Sequence, residues 1–292
     1  MRKLVARHDG GARRKATGRA PLTAVFGFCF AAAIGWTGVL AQDAKQAVPY
    51  GPIPIPDLSG LWQHTPIVEY EALPFKPSPI GDLYRPLNQQ YLLTVFHGDY
   101  RNPILQPWAA AEVKRHADAV TAGNQIPSPQ ERCEMSGVPN IITLPAALQI
   151  LQTPTQVTLI YQRDHQIRRV AMNVPHSASP PPSWYGESVG HYDGDTLVID
   201  TIGMNDKTPV DIFGTPHTEA LHVVERFRPI NAGKQIEVVF TVDDPKTFTT
   251  PWPGRFVYNR SNQQWFEEEI CAENDRLAHT AYDIPTETKP VF

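Results

Sequence analysis

The sequence predicts a mainly β protein, an antiparallel barrel or meander with one helix and a proline-rich, irregular N-terminal region, on three observations. From Pro145 onward short β-prone segments recur at regular spacing, divided by turn signals such as Asn231-Ala232-Gly233 and Asp243-Asp244-Pro245-Lys246. One division, Asp193-Gly194, is a dipeptide whose left-handed tolerance suits a two-residue type I′ hairpin turn. Only one stretch reads as a helix.

In chain order, Arg2, Lys3, Arg7, Arg13, Arg14, Lys15 and Arg19 precede an apolar run from Leu22 to Leu40 that ends in the small-residue pattern Val39-Leu40-Ala41. Residues 1–41 are therefore expected to be a secretory signal peptide cleaved after Ala41. The alternative is an uncleaved membrane anchor, which Gly27, Gly35, Thr37 and Gly38 weaken. Arg13-Arg14 lacks the apolar residues that follow a twin-arginine motif, so Sec-type export is expected. The address is periplasmic or secreted, with no membrane attachment after cleavage. Residues 42–56 carry too many prolines to pair in a sheet and form a linker or extended arm, so a single β-barrel domain is expected over 57–292.

Within that domain Leu73 to Ile104 is too proline-rich for long elements. Pro107 to Val120 has proline in the first turn, strong helix formers, and Gly123 just beyond, which marks it as the helix. The expected strands are Leu148–Leu151, Gln156–Arg163, Ile167–Met172, Ser188–Asp193, Thr196–Ile202, Leu221–Arg228, Gln235–Val242, Gly254–Asn259 and Gln264–Cys271.

Removing residues 1–41 leaves 19 Lys+Arg against 29 Asp+Glu, a net charge of −10. Such a chain, with no basic stripe, repels phosphate backbones, so nucleic acid is not an expected partner. Phosphate-binding glycine loops, dinucleotide fingerprints and the G-x-S-x-G elbow are missing from the sequence, and no cofactor is expected. Loss of Cys29 with the signal leaves Cys133 and Cys271, which in an oxidising compartment read as one disulfide. Neither belongs to a C-x-x-C pair, so a structural zinc is not supported.

Asp57-Leu58-Ser59-Gly60-Leu61-Trp62 contains the Gly-x-Trp that opens the first strand of lipocalin-like proteins, where the tryptophan closes one barrel end. This resemblance implies a lipocalin-like barrel with a ligand-sized cavity. A wider resemblance rests on Pro56 to Trp62, Gln152-Thr153-Pro154, Ser183 to Gly190, Gly194 to Thr201, Pro216 to Phe227 and Asp243 to Lys246. Together these look like a largely uncharacterised family of secreted bacterial proteins, abundant in proteobacteria and acidobacteria, over nearly all of residues 56–275. The resemblance carries no defining activity. Where the family pattern has Asp-Gly-Arg-x-His this chain has Met172-Asn173-Val174-Pro175-His176, then Pro180-Pro181-Pro182, so only His176 is kept.

If Tyr192 pairs with Asp195 across the Asp193-Gly194 turn, Glu187 lies opposite Asp200 and His191 opposite Thr196. Glu187, Val189, His191, Val198 and Asp200 then share one face, and burial of two facing carboxylates could split their pKa values into an acid and a base. The plainer reading is that the face is simply wet. Alternation turns Ser188 away from His191, which disfavours serine catalysis.

His217 and His222, with Glu219 and Glu225, cluster after the Gly214-Thr215-Pro216 turn. Their five-residue separation is not the two or four that sets metal ligands side by side, so no metal is expected. The remaining readings are general acid–base use and plain structural hydrogen bonding.

Two functional readings follow. One is a cofactor-independent enzyme of lyase, dehydratase or isomerase type. His176, Tyr185, Asp200, His217 and His222 would move protons on a small aromatic molecule in the barrel cavity, bound by Trp62, Trp184, Glu187, His191 and Asn205. The other is a non-catalytic, lipocalin-like binder or carrier of a small apolar ligand. The discriminating observation is whether His176, His217, Asp200 and Tyr185 converge on one pocket.

Overall fold

The computed structural model describes residues 55–64, 97–124 and 126–271. The expected signal peptide and nearly all of the proline-rich linker lie outside the described residues, as do 65–96 and everything after 271.

Nine strands close into one barrel among the described residues. They are β1 (Gly60–His64), β2 (Leu148–Gln152), β3 (Gln156–Tyr161), β4 (Ile167–Met172), β5 (Glu187–Asp193), β6 (Thr196–Ile202), β7 (His222–Ile230), β8 (Gln235–Asp243) and β9 (Trp252–Arg260). Period-2 alternation is clear in the burial: Val157, Leu159 and Tyr161 of β3, and Ile236, Val238, Phe240 and Val242 of β8, point inward while their neighbours are wetter. The fold class expected from the sequence is the one observed.

The lumen is filled. Trp62, Tyr161, Phe227, Phe240 and Tyr258 are at most 2% exposed, and Gly254 is required because a Cβ there would lie 2.1 Å from the Phe240 ring. Trp62 donates from its indole N–H to the Leu58 carbonyl at 2.8 Å, and the Arg260 guanidinium lies 4.2 Å above its ring. Inside the same lumen Arg168 of β4 pairs with Glu225 of β7, 1% and 0% exposed. Arg168 also donates to Ser188 Oγ and Thr201 Oγ1.

Helix α1 (Pro107–Thr121) forms where expected, with Pro107 in its first turn. It buries Ala109, Val113 and Ala117, one residue per turn on one face. Trp108 fastens it to the turn after β8 through a 2.6 Å bond to the Lys246 carbonyl. A second, four-residue helix α2 (Asn140–Thr143) follows the cis Val138-Pro139 bond. The Cys133–Cys271 disulfide is formed, spanning 138 residues.

The structure corrects the sequence expectations in three places. Residues 264–270 are not a strand; β1 takes that place, closing the barrel against β9 through Trp62↔Arg260 and His64↔Tyr258. The barrel is mixed, because β4 and β5 are parallel, with Val170 opposite Ser188. Prolines 175 and 180–182 lack amide donors, which prevents a tight hairpin and sends residues 173–186 over the outside as a crossover. Finally, the β5–β6 register pairs Asp193 with Thr196, so Gly194 and Asp195 form the loop. Gly194 has φ +61° while Asp195 is not positive, a pattern of type II′ rather than I′.

Candidate acid–base relay on the outer face of the barrel

That register moves Glu187 opposite Ile202 instead of Asp200, and places Val189 opposite Asp200 and Val198 opposite His191. Because the slip is two residues, parity is conserved: Glu187, Val189, His191, Val198 and Asp200 still share a face. It is the outer face. Ser188, Leu197, Ile199 and Thr201 take the inward positions and are buried.

Glu187 and Asp200 are bridged instead of abutting. The crossover lays His176 over them, its Nδ1 3.0 Å from Glu187 Oε1 and its Nε2 3.0 Å from Asp200 Oδ1. His222, at the start of β7, brings its Nε2 within 2.9 Å of the same Asp200 oxygen. The result is a chain of four groups, Glu187, His176, Asp200 and His222. Gly186 makes the close return of the crossover possible: its φ is +61°, and a Cβ there would lie 2.2 Å from the Ile202 carbonyl.

At its inner end the chain is anchored by Ser177, whose backbone N–H and hydroxyl donate to the two Glu187 oxygens at 2.7 Å each. The hydroxyl bond, then the backbone N–H, hold the Glu187 carboxyl below its usual range, so it is a fixed anion near neutral pH. Donation by His176 to both carboxylates at once requires both ring nitrogens to carry protons. At the outer end His222 is 40% exposed, and its Nδ1 has no partner among the described residues. With Nε2–H given to Asp200, that nitrogen carries a lone pair turned from the carboxylate. Asp243 is the direct cross-strand partner of His222 on β8.

The remaining expected site residues are placed elsewhere. His217 is 3% exposed, with Nδ1 2.9 Å from the Thr218 carbonyl and Nε2 3.5 Å from Thr208 Oγ1. Burial holds its pKa below the ordinary value, so it is a neutral, structural imidazole. Tyr185 donates its hydroxyl to Gln166 Oε1, and burial raises its phenol well above the ordinary range. Trp62 is fully buried in the core, Trp184 lies under Lys207 Nζ at 5.7 Å, and Asn205 accepts from the Lys207 amide at 3.2 Å. His191 is exposed on the outer face beyond the relay. His176, Asp200 and His222 thus converge, while His217 and Tyr185 do not join them.

Ser177 and Asp243 were not singled out from sequence. Asp243 was legible only as part of the Asp243-Asp244-Pro245 turn, and the structure divides that pair. Asp244 is fully buried and accepts from Thr218 N, Thr218 Oγ1, Lys246 N and Thr247 Oγ1. Among the described residues no group of three or more His, Cys, Asp or Glu side chains is arranged to hold a metal ion. No protein-family profile matches the chain, and no curated protein matches it. No helix among the described residues is long and apolar enough to cross a membrane.

Proposed function

We propose that the protein is an exported, cofactor-independent enzyme that performs acid–base chemistry of lyase, dehydratase or isomerase type on a small molecule at the Glu187–His176–Asp200–His222 relay. One observation carries the reading: a single Asp200 oxygen is shared by two imidazoles, the outer of which presents an unengaged ring nitrogen to solvent. His222 Nδ1 is the base. Asp200 fixes its tautomer and stabilises the imidazolium that forms, while His176 and Glu187 hold Asp200 in place. Asp243, beside His222, is the second group able to take or return a proton.

The substrate lies on the outer face, not in the lumen, which aromatic side chains and the Arg168–Glu225 pair fill. That filling weighs against a lumenal carrier. The immediate cross-strand neighbours of Asp200 are Val189 and Val224, so the platform is aliphatic and gives no support to an aromatic preference. The sequence resemblance to a family of secreted bacterial proteins supports export but adds no activity.

The test is turnover by the full chain against a panel of small hydroxy acids, aryl ethers and β-hydroxy ketones, followed by mass spectrometry. Where a substrate is found, His222→Ala and Asp200→Asn lose about 10²–10⁴-fold in kcat with native melting curves. Full activity in both variants sinks the proposal.

A further inference from the structure

The crossover from β4 to β5 runs over the outer face of the barrel with both ends fastened and its middle nearly free. At the β4 end the Asn173 amide donates to the Gly190 carbonyl at 2.7 Å, and at the β5 end the Ser183 amide donates to the Gly203 carbonyl at 3.0 Å. Between them, residues 174–182 make no backbone–backbone hydrogen bond among the described residues. Val174, Pro175, Ser177, Ala178, Ser179, Pro181 and Pro182 are exposed, and none of them joins the hydrophobic core. Pro180 rests on Gly203, where a Cβ would come within 3.0 Å of its ring.

What holds the middle down is the relay itself. Among the described residues the hydrogen bonds of 174–182 all come from His176 and Ser177. Three of them end on Glu187: the Ser177 N–H, the Ser177 hydroxyl and His176 Nδ1. The fourth joins His176 Nε2 to Asp200. A segment with few buried apolar contacts and one point of attachment sits at the low end of local stability. It is also stiff, because Pro175 and Pro180 to Pro182 have fixed φ, so it moves as a unit about its fastened ends. Asn173, at one of those ends, has φ +59°.

We propose that residues 174–182 form a strap that opens and closes over the relay, with Glu187 as its latch and Ser177 as the residue that engages the latch. Closed, the strap sets His176 between Glu187 and Asp200 and completes the chain of four groups. Open, it carries His176 away and leaves Asp200 to His222 alone. Ser177 is thus a positioning residue, since both its hydrogen bonds go to Glu187 and it acts on Asp200 only through His176. The strap rests on the acid–base reading of the relay only for its effect on rate, and its opening is measured without turnover.

Hydrogen exchange and nuclear Overhauser spectra of the full chain test this. The parent is expected to protect the amide at position 177 and to show a contact between the carbon-bound ring protons of His176 and His222, whose Nε2 atoms share one Asp200 oxygen. In Ser177→Ala, exchange at that amide is expected to speed up about tenfold, because a bond to a charged carboxylate is lost. Ser177→Thr, which keeps the hydroxyl, is expected to restore the parent rate. Glu187→Ala is expected to abolish the His176–His222 contact while the Asn173 and Ser183 amides exchange as in the parent. The proposal is overturned by any of three results: unchanged exchange at position 177 in Ser177→Ala, a His176–His222 contact of parent strength in Glu187→Ala, or equal acceleration at Asn173 and Ser183, which would mean that the β4–β5 junction opens instead. Because these spectra are taken without substrate, full turnover in Asp200→Asn would sink the acid–base reading and not the strap.

Discussion

Arg168 and Glu225 meet inside the barrel, from strands 57 residues apart in sequence, with neither side chain open to water. Burial alone would push the arginine down, but the Glu225 charge and the Tyr161 hydroxyl outweigh it, so the guanidinium stays protonated. The pair ties β4, the strand that ends the antiparallel run, to β7 across the lumen. It does so beneath the parallel β4–β5 junction, where only three residue pairs hold the ladder.

Truncating one member leaves the other charged and unpaired in a dry interior. Glu225→Gln is expected to lower stability by about 3–5 kcal/mol, read from urea unfolding followed by tryptophan fluorescence. A loss under about 1 kcal/mol would show that water reaches the pair.

The relay makes a prediction that needs no substrate. Nitrogen-15 correlation spectra of the histidine rings should show neutral His222 with its proton on Nε2, the nitrogen that faces Asp200. In Asp200→Asn the His222 preference should disappear. A His222 proton on Nδ1 in the parent chain would contradict the base assignment.

Asp211 should give the protein a distinct acid-side profile. Burial pushes its carboxyl up to about 6, against which the Thr215 hydroxyl and the Thr215 and Phe213 amides act. The folded state therefore holds this proton more tightly than the unfolded chain. Its contribution to stability is greatest below the unfolded value and is lost as pH rises to about 6. Asp211→Asn removes that penalty and should be the more stable protein at pH 7.5, by about 2–3 kcal/mol at most, converging with the parent near pH 3.5. Melting curves across that interval decide it; parallel curves would mean that Asp211 is solvated.

Opening the Cys133–Cys271 loop with the double serine variant should cost about 2–4 kcal/mol, since the bridge closes a long loop. Thiol titration of the unfolded, unreduced chain without residues 1–41, which hold Cys29, should find no free thiol.

Exhaustive chelation should leave turnover of any substrate found for the relay unchanged, because histidine and carboxylate groups carry the proposed proton transfers. Loss of activity restored by one divalent metal would replace that account.

Local chemistry determined much of this protein. The helix at Pro107, all eight strand positions from Leu148 to Asn259, the pairing of Cys133 with Cys271 and the parity that sets Glu187 on the same face as Asp200 follow from proline geometry, hydrophobic alternation and cysteine count. The sequence also marked His176, Asp200 and His222, because ionisable residues cluster in two segments that neighbouring strands bring together. Tertiary structure alone decided which face is the outside. Alternation fixes that two residues share a side of a sheet but not whether that side meets water. Closure onto β1 sent Glu187 and Asp200 outward. It filled the lumen with Trp62, Phe240 and the Arg168–Glu225 pair, and assigned His217 to the Thr208–Thr218 network rather than to Asp200. Asp211 was invisible in sequence for the same reason: it is 1% exposed only because tertiary packing covers it.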